Sequence, residues 1–271
     1  MPTAVGLNGF GRIGRGVLRA LVENKVTDLE VVAINDLSTP ETLAHLLRFD
    51  SVHGRFAGDI EVAENGLVVN GQKIRVTAER DPAKLPWSDV DVAMECTGFF
   101  TARDKAAAHL ENGSKRVLVS APGAGADRTV VFGVNDKDLT ADDVIVSNAS
   151  CTTNCLAPVI KVMHESLGIR HGTMTTIHDI TNTQTIVDKG HRDLRRARAC
   201  GQSLIPTTTG SAKAITSIFP ELTGKLNRLA VRVPLLNASL TDIVFESERS
   251  TTVEEVNVLF ELAAGGDLGG I

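Results

Sequence analysis

Cysteine is scarce in this chain: Cys96, Cys151, Cys155 and Cys200 are spread over 271 residues. So few thiols in so long a chain do not make a disulfide framework, which points to a reducing compartment. Long hydrophobic runs are missing as well. No stretch of 18 apolar residues occurs and no charged-then-apolar leader opens the chain, so the expected location is the cytoplasm, with no membrane partner. Positive charge is not in excess either. Lys and Arg total 28 against 33 Asp and Glu, a net charge of -5, which argues against nucleic acid as the main partner. No internal repeat or low-complexity linker is found. What remains is a hydrophobic content of 42% and a charged content of 23%, enough for one large or two ordinary globular domains.

The opening residues carry the first specific signal. Ala4-Val5-Gly6-Leu7-Asn8 reads as a buried strand, and Gly9-Phe10-Gly11-Arg12-Ile13-Gly14 follows at once. A helix is expected from Arg15 to Glu23 and a second strand from Leu29 to Ile34, ending in Asn35-Asp36. Alone, G-x-G-x-x-G is weak. Followed by helix, strand and acidic residue at this spacing, it reads as a dinucleotide-binding turn. Gly9, Gly11 and Gly14 let backbone approach a pyrophosphate, and Asp36 is placed to accept bonds from a ribose.

Beyond it, Thr42 to Phe49 has helical periodicity, and three short β-type runs (59–62, 66–69 and 73–76) include an Asn70-Gly71 hairpin signal. His53 reads as a structural turn histidine. Asp91 to Gly98 and Arg116 to Pro122 read as buried parallel strands with a helix from Thr101 to Leu110 between them. The strand ends at Thr97, Gly98 and Ser120 are expected to line the cofactor crevice.

Past the middle stands Ser147-Asn148-Ala149-Ser150-Cys151-Thr152-Thr153-Asn154-Cys155-Leu156-Ala157-Pro158, after a β-branched run and before an apolar helical pattern. By composition alone Cys151 is one more small buried hydrophobe. In the first turn of a helix, however, unpaired N–H groups and the dipole favour a thiolate, and the hydroxyls around it can hold a second anion. Cys155 reads as structural, because C-x3-C has no matching second pair and no metal is expected.

Met174-Thr175-Thr176-Ile177-His178 is a β-type run ending in a histidine, followed by Thr181, Asn182, Thr183 and Gln184. A polar loop then carries His191, Arg192, Arg195, Arg196 and Arg198. Pro206-Thr207-Thr208-Thr209-Gly210 reads as a hydroxyl-rich turn opening a helix, which with arginine is oxyanion chemistry. Arg232 lies inside an apolar strand, where an anionic partner would offset its burial. Runs at 229–233 and 238–245 suggest an antiparallel sheet.

The twelve residues from Ser147 to Pro158 resemble the active-site segment of the phosphorylating glyceraldehyde-3-phosphate dehydrogenases. N-G-F-G-R-I-G-R, I-N-D and T-T-x-H resemble the same family, and the likeness covers nearly the whole chain. It implies an α/β fold: a Rossmann-type parallel-sheet NAD-binding domain over 1–150, then an α+β catalytic domain with a mainly antiparallel sheet over 151–271. It implies Cys151 as nucleophile and His178 as its acid–base partner. Arg12, Ile13, Arg80, Thr97, Ser120 and Asn182 would join the glycine loop and Asp36 in holding NAD. Thr181, Thr183 and Arg232 would hold the phosphate of glyceraldehyde 3-phosphate. Ser150, Thr152, Thr209, Gly210 and one of Arg195 or Arg196 would hold inorganic phosphate; spacing leaves open which arginine it is. A homotetramer is implied too.

Several features leave alternatives open. The family continues beyond Ile271 through more sheet and a long helix, including an asparagine at the nicotinamide. H-D-I-T-N-T and V-P-L-L-N-A-S resemble the arsenate-resistance-associated paralogues, which would make arsenate the oxyanion. Lys189-Gly190 replaces a Leu-Pro pair of strictly NAD-dependent relatives, so NAD preference with measurable NADP use is expected. A dehydrogenase of erythrose 4-phosphate is a further possibility within the enzymes. A non-catalytic NAD sensor is the rival from another class; the presence of both Cys151 and His178 speaks against it.

Overall fold

The computed structural model describes residues 1–209 and 211–271, with the side chains of 211–213 also left undescribed. The chain divides into two units: Met1–Thr129 with Leu139–Asn148, and Val130–Asp138 with Ala149–Ile271. The second unit thus takes a segment from before Cys151, because Val131 packs into the same apolar cluster as Ala149, Leu156 and Ile160.

In the first unit β1 (Thr3–Asn8), α1 (Arg12–Glu23), β2 (Leu29–Asn35) and α2 (Pro40–Arg48) follow one another. A two-residue hairpin comes next, β3 (Phe49–Asp50) and β4 (Gly54–Arg55), then β5 (Ile60–Ala63), β6 (Gly66–Val69) and β7 (Gln72–Thr77). β8 (Val92–Glu95), α3 (Arg103–Ala106), α4 (Ala108–Glu111), β9 (Arg116–Val119), β10 (Arg128–Thr129) and β11 (Ile145–Ser147) complete it. The strands form one sheet in the order β10-β11-β9-β8-β1-β2-β7-β6-β5. Every pairing from β10 to β7 is parallel, and β5, β6 and β7 pair antiparallel, β6 and β7 through the Asn70-Gly71 turn, both residues at positive φ. Leu7, Phe10, Ile34, Leu43, Leu47 and Ile74 fill its main core. This is the doubly wound sheet that places a ligand at the carboxyl ends of its central strands.

Two expectations shift here. Helix α1 begins at Arg12, not Arg15, because the glycine turn itself supplies the first acceptor, Gly11 O taking the Arg15 N–H at 3.1 Å. The helix expected over 101–110 is broken into α3 and α4. Leu110 bonds back only three residues, to Ala107 O, and the tightened turn carries His109 onto Glu95.

The second unit holds α5 (Cys151–Leu167), β12 (Ile169–His178), β13 (Ile205–Thr207), α6 (Ser211–Ile218), β14 (Leu226–Arg232), β15 (Ser239–Ser247) and α7 (Val253–Gly265). Among the described residues its sheet runs β13-β14-β12-β15. Two of its pairings are antiparallel, while β12 and β14 run parallel, so the sheet is mixed. The parallel pair arises because a long loop and α6 carry the chain back across the sheet between them. Pro206 and Thr207, expected as part of a turn opening a helix, lie instead in the edge strand Ile205–Thr207, paired with β14. α5 buries Thr153, Leu156, Ala157, Ile160 and Leu167, the three-to-four spacing of one helical face, against Met174, Ile215, Phe219 and Leu222. No helix among the described residues is long and apolar enough to cross a membrane.

Because Leu156 is fully buried about one and a half turns from the cysteine, Leu156→Ala is expected to cost about 2–5 kcal/mol. Urea unfolding monitored by circular dichroism checks it, and a change within experimental error would contradict the packing described for α5.

Candidate active site

The thiol sits where strand gives way to helix. Ala149, fully buried, takes φ +56°, a left-handed conformation that turns the chain sharply out of β11. Ser150 caps α5: its Oγ accepts the Thr153 N–H at 3.1 Å and meets Thr153 Oγ1 at 2.7 Å. Cys151 is therefore the first helical residue, open to solvent, with the positive end of the dipole behind it. β12 delivers the partner from across the unit. His178 is its last residue, and its Nε2 lies 3.2 Å from Cys151 Sγ.

Each member of the pair shifts the other. The bond from His178 holds the Cys151 thiol below its ordinary range, against the burial that pushes it up, and the Thr152 N–H and hydroxyl add to the lowering. The same bond raises the imidazole of His178, with burial and the Arg232 cation opposing. The pair thus favours thiolate and imidazolium near neutral pH. Cys96 contrasts with it: burial pushes that thiol up to about 11, leaving it unreactive. Cys155 is exposed and touches Thr241 Oγ1 at 3.8 Å.

Arginines surround the pair. Arg232, the last residue of β14, donates from Nη1 to Asp179 O at 2.8 Å, and the same nitrogen is 2.7 Å from His178 Nδ1. Its Nε is buried without a hydrogen-bond partner among the described residues. A half-buried guanidinium with an unused donor meets the expectation of an anionic partner only in part, since its visible contacts are a carbonyl and an imidazole. The two candidate arginines of the loop differ in how closely Asp193 holds them, Arg196 Nε standing 4.0 Å from Asp193 Oδ2. Arg195 is clamped by Asp193 through Nε at 2.9 Å and Nη2 at 2.8 Å. Arg196 donates Nε to Thr207 Oγ1 at 2.7 Å and Nη2 to Thr208 O at 3.3 Å, and its charge reaches Arg232. Thr209 follows, and Gly210 lies outside the described residues. Thr181 and Thr183 are exposed and adjacent, their hydroxyls 3.1 Å apart, held by the buried Gln184 through the Thr181 N–H and the Thr183 hydroxyl. Asn182 is exposed between them.

The glycine turn of the first unit fits a dinucleotide. Gly9 is at φ +93°, and a Cβ there would meet Thr97 N at 2.9 Å. A Cβ at Gly14 would stand 2.2 Å from Gly9 O, so helix and turn can pack only with glycine. Gly11, the N-cap, offers no side-chain acceptor to the first N–H groups of α1 and faces open space. Those uncapped donors are what a pyrophosphate requires. Asp36 supports the turn, accepting Phe10 N–H on Oδ2 and Ser38 N–H on Oδ1, each at 2.9 Å. Each carboxylate oxygen keeps a further lone pair for a ribose hydroxyl. Arg12 and Ile13 are exposed at the start of α1, with Arg12 anchored on Asp50 at 3.1 Å. Arg80 is exposed just beyond β7, while Thr97 and Ser120 are part-buried beyond the ends of β8 and β9.

Three contacts escaped sequence reading. The Asp193 clamp that distinguishes Arg195 from Arg196 had a signal in the D-x-R spacing. The Gln184 bracket under the two threonines had one in T-x-T-Q. The Asp179 carboxylate beside His178 was visible only as an unusual neighbour.

A dinucleotide turn on a parallel sheet, with a thiol–imidazole pair in the companion unit, defines an NAD-dependent oxidoreductase. Comparisons agree. Residues 3–103 match the glyceraldehyde 3-phosphate dehydrogenase NAD binding domain, and residues 150–271 match the C-terminal domain of that enzyme. Glyceraldehyde-3-phosphate dehydrogenase of Cereibacter sphaeroides is 60% identical over 100% of this chain and 81% of its own length. Those of Xanthobacter flavus and Geobacillus stearothermophilus are 57% and 56% identical, again over 100% of this chain and 82% and 81% of theirs. The chain belongs to the glyceraldehyde-3-phosphate dehydrogenase family.

Because His178 lowers the Cys151 thiol, the wild-type rate of alkylation by iodoacetamide should rise at a pH below that of an ordinary thiol. His178→Asn is expected to move that rise to higher pH and slow labelling at pH 7 roughly tenfold. Peptide mapping of the labelled site checks it; an unmoved profile would mean the contact does not tune the thiol.

Proposed function

We propose that this chain oxidises D-glyceraldehyde 3-phosphate, with NAD and inorganic phosphate, to 1,3-bisphosphoglycerate. The observation that carries the chemistry is the 3.2 Å contact between Cys151 Sγ and His178 Nε2 at a helix N-terminus. The thiolate attacks the aldehyde carbon, giving a thiohemiacetal whose oxygen is met by the Cys151 backbone N–H and the His178 imidazolium. His178, having given its proton, then takes the hydroxyl proton as the carbon is oxidised. When bound, NAD supplies the hydride acceptor, so that the carbon reaches the level of a thioester on Cys151. A phosphate oxygen attacks the thioester carbon, the C–S bond breaks, and the released Cys151 thiolate returns to its ion pair with the His178 imidazolium.

Thr181, Thr183 and Arg232 are the groups we assign to the phosphate carried by the substrate; the bare Arg232 Nε supports this. Ser150, Thr152, Thr209, Gly210 and Arg196 are assigned to the attacking phosphate. Arg196 is preferred over Arg195 because its charge reaches Arg232, whereas Arg195 is neutralised by Asp193. Gly9, Gly11, Arg12, Ile13, Gly14, Asp36, Arg80, Thr97, Ser120 and Asn182 are assigned to NAD. The first open helix turn and the Asp36 carboxylate at the ribose position, which repels a 2′-phosphate, support NAD over NADP. Lys189 remains the group through which some NADP use would arise.

In a coupled assay following NAD reduction, Cys151→Ser is expected to lower turnover by on the order of a thousandfold or more, while Cys155→Ala keeps most of it. Arg196→Leu should raise KM for phosphate roughly tenfold to a hundredfold, and Arg195→Leu much less. Normal turnover by the Cys151 variant would sink the mechanism. Running phosphate against arsenate in the same assay decides how far the arsenate-like wording near His178 matters.

We also assign the protein to the cytoplasm as a homotetramer. Ile177, Leu229, Leu240 and Val244 support assembly, lying exposed on one face of the second sheet, where Ile177 pairs with Leu240. Sedimentation equilibrium is expected to give four chains per particle, and a monomer at micromolar concentration would contradict the assignment.

A further inference from the structure

The histidine of the reactive pair is held on its far side by more than backbone. His178 Nδ1 lies 2.5 Å from Asp179 Oδ1, 2.8 Å from Asp179 O and 2.7 Å from Arg232 Nη1. Both side chains of the carboxylate–imidazole contact are largely shielded, at 7% and 19% exposure. An arginine nitrogen only donates. Beside Arg232 alone, Nδ1 would serve as acceptor, the ring would be neutral with its proton on Nε2, and no imidazolium would face the sulfur. A carboxylate at hydrogen-bond distance reverses that preference, because it requires a proton on Nδ1. Arg232 Nη1 then has the Asp179 carbonyl as its acceptor, at 2.8 Å.

We propose that Asp179 is the positioning residue of the catalytic pair: its carboxylate, in ion-pair contact with His178 Nδ1 beside the Asp179 carbonyl that can take the Nδ1–H, offsets the Arg232 cation and holds the ring as an imidazolium facing Cys151. The result is a thiol–imidazole–carboxylate chain in the order Cys151, His178, Asp179, built from the start of α5 and the end of β12. Among the described residues, the charged groups facing His178 are Cys151 from α5, Asp179 from its own strand end, Arg232 from β14 and, through Arg232, Arg196 from the loop. β15 contributes Ser239 opposite His178, which carries no charge. Of these only Asp179 and the thiolate favour the protonated ring, while the two arginines oppose it. Removing the carboxylate therefore leaves only the thiolate and the Asp179 carbonyl to offset Arg232 at the imidazole.

The inference rests on the reading of Cys151 and His178 as the reactive pair, and the test separates the two. Iodoacetamide alkylation of Cys151 is measured against pH in the intact wild type, Asp179→Asn and His178→Asn, with circular dichroism melts alongside. Asp179→Asn is expected to move the alkylation profile up by about one pH unit, to lower kcat at neutral pH more than it changes KM, and to regain activity as pH rises. Asp179→Glu, which keeps a carboxylate, should recover part of the shift. A shift in His178→Asn with none in Asp179→Asn overturns the proposal while leaving the pair intact. No shift in either variant overturns the pair itself. If Asp179→Asn does not fold, the same profile on Asp179→Ser decides, with an unmoved profile again counting against the carboxylate.

Discussion

A single contact, Cys151 Sγ to His178 Nε2, sets the demands on the second unit, because it joins the first residue of a helix to the last residue of a strand 27 positions later. The lengths make it possible. The 17 residues of α5 span about 25 Å, and the ten of β12 span about 33 Å, so a strand antiparallel to the helix returns its end to the helix start. Between them Gly168, at φ +69°, reverses the chain where a Cβ would stand 2.7 Å from the Glu248 carboxylate. The core of Leu156, Ile160, Ile169, Met174 and Phe219 then sets the spacing between helix and sheet. Half an ångström of slippage in that core would appear directly at the sulfur.

The contact also fixes the electrostatics. A thiolate at a helix N-terminus needs its cation close, yet the same place must accept two phosphate-bearing species. His178, Arg232 and Arg196 supply the positive charge, and burial together with Arg196 lowers the Arg232 guanidinium from its ordinary range. Cations packed this closely destabilise one another until an anion arrives. The site is thus better matched to bound phosphate than to its own empty state, which is how binding energy is turned toward reaction. Asp193 holds Arg195 at 2.8 Å and stands 4.0 Å from Arg196, so of the two loop arginines Arg196 keeps more of its charge for this place.

Much of this was legible in the residues, and the pattern of what was not is physical. The strand, glycine turn, helix and acidic end of the first forty residues could be read because local geometry there is forced: a Cβ at Gly14 would strike backbone. Cys151 and His178 could be singled out from motif wording, but their meeting depends on β12 running antiparallel to α5, which no local rule supplies. Long-range pairing also undid the reading of Pro206 and Thr207 as a turn, since β14 recruits them as an edge strand. The helix over 101–110 failed for a related reason, a tertiary bond from His109 to Glu95 outweighing propensity. Choosing between Arg195 and Arg196 needed side-chain partners, and sequence spacing carries none.

The first unit keeps its own buried centre, and it explains why the cofactor turn is rigid. Glu95 is completely buried at the end of β8, where burial pushes its carboxyl up, yet bonds from His109, Thr97 and Asn8 outweigh this and leave it below the ordinary range. Asn8 Nδ2 donates to it at 2.6 Å, the Thr97 N–H at 2.7 Å, and His109 Nε2 lies 3.1 Å away, stacked on Trp87. Asn8 Oδ1 in turn accepts from Asn35, whose own Oδ1 receives Thr77 and the Glu79 N–H. One carboxylate therefore ties together the carboxyl ends of β1, β2, β7 and β8, the edge from which Gly9, Asp36, Arg80 and Thr97 emerge. A buried charge so fully bonded adds little net stability, since its desolvation offsets what the bonds return. What it does is remove alternatives: any displacement of one strand end would leave a buried donor or acceptor unmade, at about 1–3 kcal/mol each. The glycine turn is held in the one arrangement that leaves its N–H groups open to a phosphate, and the cost of rigidity is met in the core behind it.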